Sequence, residues 1–103
     1  MPPENLLDWV ALHLLPGLGP ISIGRGLERF SDPGDLAFRT SPAGLATLPG
    51  VGPKTVAAIV EARKDLRPRA EREIRSCERR GIRLVLRRNR DYPAALLELP
   101  DAP

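Results

Sequence analysis

"LPGVGPKT", residues Leu48 to Thr55, places two glycines one residue apart and follows them with proline, lysine and threonine. A Walker-type phosphate loop needs glycine directly before its lysine and another glycine five residues earlier. Those two places hold Pro53 and Leu48, and Thr55 stands where the dinucleotide pattern G-x-G-x-x-G requires its third glycine. The pattern therefore matches neither nucleotide loop, and Gly50 and Gly52 must have another role.

The same string occurs earlier in the chain. "LPGLGP" at Leu15–Pro20 matches "LPGVGP" at Leu48–Pro53, with a single exchange of Leu18 for Val51. Two copies are too few for a solenoid of stacked repeats. We therefore predict a duplicated supersecondary unit. Each residue of the first copy has its equivalent 33 residues later, as Leu15 has in Leu48.

Each copy is predicted to be a helix, a tight hairpin and a second helix. Apolar residues recur at helical spacing before the first hairpin, and proline is well tolerated at the first position of the helix that follows. Ser41 is a predicted N-cap before Pro42. The predicted helices cover residues 5–15, a helix starting at 20, 42 to about 48, and 53 to about 64. The expected fold class is all-α, a small helical bundle.

The second hairpin has the residues of an anion site. A helix start exposes unpaired backbone N–H groups and a partial positive charge. Gly50 and Gly52 permit positive φ and close backbone approach, Val51 is the predicted buried pivot, and Lys54 and Thr55 add an ammonium and a hydroxyl. The alternative is that the hairpins only hold helices together.

The first hairpin, with Gly17 and Gly19, is a weaker candidate for phosphate binding. It has no lysine after Pro20. Gly24 and Gly26 lie inside its second helix, and each glycine there weakens a helix by roughly 1 kcal/mol relative to alanine.

Positive charge is concentrated in residues 63–90, which carry twelve basic and four acidic side chains. A helix is predicted from Leu66 to Gly81, with Ala70, Ile74 and Cys77 on its apolar side. The opposite side carries a stripe of arginines, Arg72, Arg75 and Arg79. This stripe is either a contact face for a polyanion or an ordinary solvated helix surface, to which a Glu71–Arg75 pair would contribute.

The remaining composition favours a small cytoplasmic domain without catalytic chemistry. The chain has 103 residues and one cysteine, which excludes an internal disulfide and fits a reducing compartment. No signal peptide or membrane-spanning segment is predicted. His13 lacks neighbours at ligand spacing, Cys77 belongs to a core, and Asp32 caps a turn. We predict no enzyme activity, catalytic residue, metal, cofactor or small-molecule substrate.

Residues 82–86 predict a short strand, residues 87–91 a turn, and Pro93 starts a final short helix reaching about Leu99. The strand has no predicted sheet to join. We therefore expect it to pack on the helices or to pair with another molecule.

"LATLPGVGPKTVAAIV", residues Leu45 to Val60, resembles the helix-hairpin-helix DNA-binding motif. The resemblance places Leu45 and Leu48 in the first helix, Gly50 to Gly52 in the hairpin, and Ile59 and Val60 in the second helix. Val56 departs from the alanine that is usual in the motif. The resemblance implies that DNA is bound through its backbone.

The stretch "GIRLVLRRNRDYPAALLELPDAP" resembles the linker of the DNA-processing protein A family (DprA, also called Smf). The matching residues are Gly81, Ile82, Asp91, Tyr92, Pro93, Leu96 or Leu97, and Pro100. The resemblance implies a double helix-hairpin-helix, or SAM-like, domain over residues 1–80. Residues 81–103 would then be the linker and start of a Rossmann-like core that this sequence lacks.

Members of that family act in natural transformation and recombination, where they bind and protect incoming single-stranded DNA and help to load RecA. The resemblance implies DNA, RecA and a second copy as partners of the full-length protein. Two hypotheses remain for this domain: an accessory module that binds the DNA backbone non-specifically, or a protein-interaction module with little DNA affinity. The absence of aromatic residues near the hairpins does not favour base recognition in single strands.

Overall fold

The computed structural model describes residues 6–30, 32–87 and 95–100, and within these ranges the chain is mostly helical. Two strands follow the helices, and no strand occurs in the described residues before Ile82. The elements are α1 (Leu6–Leu14), α2 (Pro20–Phe30), a π-helical segment (Asp35–Arg39), α3 (Pro42–Leu45), α4 (Pro53–Ala62), α5 (Leu66–Arg79), β1 (Ile82–Arg87) and β2 (Ala95–Pro100). The all-helical prediction for the first part of the chain is confirmed at this level.

Prolines and a hydroxyl group set the helix starts as predicted. Pro20, Pro42 and Pro53 each occupy the first helical position, where the missing N–H costs no hydrogen bond. The Ser41 hydroxyl accepts a hydrogen bond from the Gly44 N–H at 3.0 Å, so the predicted N-cap is confirmed. The helix before the second hairpin is shorter than predicted, because the chain after Leu45 continues in tighter turns with hydrogen bonds to the third residue back.

The core lies between α1, α5 and the two hairpins. α1 packs mainly on α5, and α5 also contacts β1. The largest side chains with almost no exposure are Leu12, Leu36, Leu45, Ile59, Leu66 and Cys77. The burial of Cys77 confirms the core position predicted for it from the helix pattern.

The π-helical segment packs against α2 through a glycine. A Cβ on Gly26 would lie 2.7 Å from a methyl carbon of Leu36, closer than real contacts allow. One of the two glycines that weaken α2 in the sequence pattern, Gly26, therefore lies where a side chain would force the buried Leu36 to shift. Asp32 precedes this segment, and its carboxylate accepts a hydrogen bond from the Gly34 N–H at 2.7 Å, which confirms its predicted capping role.

Arg63 joins the end of α4 to the π-helical segment. Its guanidinium donates to the carbonyl oxygens of Ala37 at 2.9 Å, Thr40 at 2.6 Å and Leu36 at 3.0 Å. Burial lowers the pKa of Arg63 below the ordinary arginine value, and the cation lies where helix carbonyls without partners favour positive charge. The sequence pattern counted Arg63 in the basic region, whereas the structure uses it as a cross-link.

The end of the chain corrects the prediction of a final helix from Pro93 to Leu99. Ala95–Pro100 is a strand, and it pairs antiparallel with β1 from Ile82 opposite Pro100 to Arg87 opposite Ala95. A helix of only a few residues is marginal in isolation, whereas β1 offers a row of backbone hydrogen-bonding groups. The predicted extended segment from Ile82 is confirmed. It packs on α5, as one of the two expected placements has it, and its strand partner comes from the same chain rather than from another molecule. The predicted turn beyond Arg87 and the helix start at Pro93 lie outside the described residues.

Replacing Arg63 tests this cross-link. We expect Arg63→Met to lower the free energy of unfolding by about 2–4 kcal/mol, because the three carbonyl oxygens lose a charged donor. Urea denaturation followed by circular dichroism measures the change. Lys64→Met is the matched control, since Lys64 is exposed and pairs with the exposed Glu61. Equal costs for the two variants would show that Arg63 does not hold the elements together.

Candidate functional site

The first glycine of each hairpin has a left-handed backbone. Gly17 has φ +74° and its equivalent in the second copy, Gly50, has φ +76°. Residues with a side chain rarely adopt this backbone conformation, so both turns depend on glycine. The sequence repeat is therefore also a repeat of backbone geometry at these positions.

Each hairpin contacts the first turn of the helix that follows the other hairpin. A Cβ on Gly17 would lie 2.6 Å from Cγ2 of Thr55 and 3.3 Å from its Oγ1. In the reciprocal contact, the Ser22 hydroxyl donates to the Pro49 carbonyl oxygen at 2.7 Å and lies near Gly50. Ser22 and Thr55 occupy equivalent positions in the two copies, so the two contacts correspond under the sequence repeat.

The second glycine of each hairpin faces open space. A Cβ on Gly19 or Gly52 would have no neighbour within 4 Å. Gly52 is the N-cap of α4, with φ −96° and ψ −178°, an extended backbone that any residue adopts. It does not use the positive φ that its glycine permits. Neither packing nor backbone conformation requires glycine at position 52, where glycine is a favoured N-cap residue, and its missing side chain leaves the start of α4 accessible.

The first turn of α4 presents donors and one cation. Gly52 makes no side-chain cap, and the first helical hydrogen bond runs from the Val56 N–H to the Gly52 carbonyl at 2.9 Å. The N–H groups of Lys54 and Thr55 precede that bond and point along the helix start. Lys54 is exposed, while Val51 is 7 % exposed and is the buried pivot predicted from the sequence.

The first hairpin differs in the residue types that would meet an anion. Ile21 occupies the position equivalent to Lys54 and is 72 % exposed. Leu18, equivalent to Val51, is only partly buried. The first hairpin thus repeats the backbone of the second and lacks its charge.

The arginine stripe on α5 is exposed, as predicted. Arg72, Arg75 and Arg79 lie opposite the buried Ala70 and Cys77. The predicted Glu71–Arg75 pair does not form. Neither residue takes part in the ion pairs that the described residues make. No hydrogen bond or ion pair in the described ranges links this stripe to the second hairpin.

Two arginines that the sequence pattern did not single out lie beside the second hairpin. A shallow groove of about 410 Å³ separates α2 from the residues before Gly50. Its lining consists of Arg25, Glu28, Arg29, Thr47, Leu48 and Pro49. The arginines are spaced i, i+4 on α2, which was the only signal in the sequence that they share a face.

Comparisons with protein-family models, with curated proteins and with solved structures find no match to this chain. Within the described ranges, no helix combines the length and apolar character needed to cross a bilayer. The same residues contain no group of three or more histidine, cysteine or acidic side chains placed to hold a metal ion.

Substitution by alanine should change stability differently at glycines with a left-handed backbone and at a glycine with an extended backbone and open space in front of it. Gly50→Ala should cost about 1–2 kcal/mol of unfolding free energy from backbone strain alone. Gly17→Ala should cost more, because the new methyl also meets Thr55. Gly52→Ala should cost only about 0.5–1 kcal/mol, the loss of a favourable N-cap residue, and thermal or urea unfolding ranks the three variants.

Thr55→Ser, which removes the methyl group nearest Gly17, serves as the second-site test. It should recover part of the cost of Gly17→Ala and none of the cost of Gly50→Ala. Equal effects of Thr55→Ser in the two backgrounds would contradict the contact between Gly17 and Thr55.

Proposed function

We propose that this chain is a double helix-hairpin-helix domain that binds the DNA backbone without sequence preference. Three observations support the two units: helices flank both turns, the first glycines share a left-handed backbone, and the hairpins make corresponding contacts with each other's second helix. The proposal makes the second hairpin the principal phosphate contact.

The observation that carries the proposal is the open space in front of Gly52 at the start of α4. The fold accepts a side chain there, because the backbone is extended and the space in front is open. A phosphate oxygen approaching the N–H groups of Lys54 and Thr55 would need that space. Ligand approach therefore gives the glycine a reason that packing does not.

The proposed contacts divide by residue. The backbone N–H groups of Lys54 and Thr55 would donate to the phosphate across Gly52, and the Lys54 ammonium would neutralise it. Gly50 and Val51 would shape the turn around the phosphate, since the Val51 N–H donates to the Leu48 carbonyl at 3.2 Å. The Thr55 side chain also packs toward Gly17, so it serves the fold as well. Gly17 and Gly19 of the first hairpin are proposed as a weaker contact, with Arg72, Arg75 and Arg79 as a supporting basic face.

The wider context follows from the family resemblance and is part of the proposal. The chain would be the N-terminal accessory domain of a DprA-like cytoplasmic protein of natural transformation and recombination. Protection of incoming single-stranded DNA, loading of RecA and self-association would belong to the full-length protein. Residues 1–80 would form the DNA-binding domain and residues 81–103 the linker.

A specific observation favours protein interaction as the second candidate function. A shallow apolar groove lies between α3 and α4, and Val60 within it is 40 % exposed. Its lining is Pro42, Ala46, Val51, Pro53, Val56, Ala57 and Val60. Binding through this groove would depend little on salt, whereas backbone binding to DNA weakens steeply as salt rises.

Lys54→Ala tests the phosphate contact. We expect DNA affinity to fall by about 1 kcal/mol for every sequence, and the slope of log affinity against log salt to decrease by about one unit. Fluorescence anisotropy with single- and double-stranded DNA at several salt concentrations measures both. Lys64→Ala removes an equal charge from the other end of α4 and should have a smaller effect.

Gly52→Val is the companion variant, since it covers the donors without removing charge. Its folding cost should be about 1 kcal/mol, because valine is a poor N-cap residue, and its affinity should fall. If Lys54→Ala and Gly52→Val both bind like the wild type while the Arg72, Arg75 and Arg79 variants lose binding, the hairpin is only a scaffold. Absence of DNA binding by the wild type at low salt would favour the interaction module.

Ile21→Lys tests the first hairpin by gain of function. The substitution places an ammonium at the position equivalent to Lys54 without disturbing the core, because Ile21 is largely exposed. We expect the salt slope to increase by about one unit and the affinity to rise. Ile21→Gln controls for the loss of apolar surface. An unchanged slope in Ile21→Lys would exclude the first hairpin as a phosphate contact.

A further inference from the structure

We propose that Arg25 and Arg29 on α2 form a second backbone-phosphate contact beside the second hairpin. This inference rests on the proposed function and extends the same binding surface. It names two residues that neither the repeat nor the arginine-rich helix singled out.

The placement of α2 carries the argument. The hydrogen bond from Ser22 to the Pro49 carbonyl fixes the start of α2 against the second hairpin. Arg25 follows Ser22 by three residues and Arg29 by seven, so both arginines lie near the face that carries Ser22. They line the groove whose other wall includes Thr47 and Pro49. Two cations of α2 therefore lie beside the residues that lead into the second hairpin.

The charges in the groove suit a phosphate. Arg25 pairs with Glu28 at 3.2 Å, but both side chains are more than 60 % exposed, and such pairs contribute little to stability. A guanidinium has five donors, so Arg25 retains donors for an anion. The Arg29 guanidinium lies 5.9 Å from the Phe30 ring centroid, and no ion pair of the described residues includes it.

The repeat supplies an internal comparison. The positions of the second copy that are equivalent to Arg25 and Arg29 are Ala58 and Ala62 on α4, which carry no charge. Glu28 corresponds to Glu61, so the acidic position is common to both copies and the arginines are not. The second hairpin therefore has basic residues both at the start of its own second helix, at Lys54, and on α2. The corresponding positions around the first hairpin are uncharged.

The occupant is a nucleic-acid backbone, since the groove combines guanidinium donors with a solvent-open shape and lies beside the hairpin. Such a backbone carries a regular series of phosphates along its length, so it can place negative charge against both sites at once. One strand would then contact the second hairpin and α2 with different phosphates.

Three variants of the full chain test the inference by anisotropy with a fluorescent DNA over a range of salt concentrations. Arg25→Ala and Arg29→Ala should each weaken binding about fivefold and lower the salt slope by about one unit. Glu28→Gln should strengthen binding, since it removes the carboxylate that competes with phosphate for Arg25. Arg83→Ala is the control, because Arg83 is an exposed arginine on β1, outside the groove.

The outcomes separate this inference from the proposed function. If Lys54→Ala weakens binding while the α2 variants behave like Arg83→Ala, the groove is not a contact and the hairpin site stands. If Glu28→Gln weakens binding with the fold intact by circular dichroism, the groove proposal is also overturned. If the wild type binds no DNA at low salt, both proposals fail together.

Discussion

The structure depends on the reciprocal contact between its two hairpins. The backbone at Gly17 lies against Thr55 at the start of α4, and the Ser22 hydroxyl at the start of α2 holds the Pro49 carbonyl. Each hairpin thus contacts the first turn of the second helix of the other copy and positions it. Because side chains at the left-handed glycines would strain or block this approach, the glycines determine how closely the copies pack.

The same contact organises the candidate binding surface. It brings the start of α2 beside the second hairpin, so that the groove with Arg25 and Arg29 borders Leu48 and Pro49 of that hairpin. The two glycines of the second hairpin have different roles. Gly50 is required by its backbone conformation, whereas Gly52 is an extended N-cap with open space in front of it, where glycine is favoured but other residues fit.

Much of the helical architecture could be predicted from sequence because its signals are local. Prolines 20, 42 and 53, the Ser41 cap and the repeated hairpin string fix helix starts within a few residues. The predictions that were wrong or incomplete concern residues whose conformation or role depends on partners distant in the sequence. Ala95–Pro100 has a helix-like composition but pairs with β1, and Arg63 cannot be told from the rest of a charged run until its three carbonyl partners are known. The Arg25 and Arg29 groove could not be found from sequence, since it needs the position of α2 relative to Pro49.

The most direct measurement is an NMR titration of the isotopically labelled chain with a short DNA duplex at low salt. The central claim predicts the largest amide shifts at Gly50, Gly52, Lys54 and Thr55, with smaller shifts at the first hairpin and none in β1. These shifts should disappear as salt is raised. Shifts confined to the arginine stripe of α5, or to the apolar groove around Val60, would contradict the claim that the second hairpin holds the phosphate.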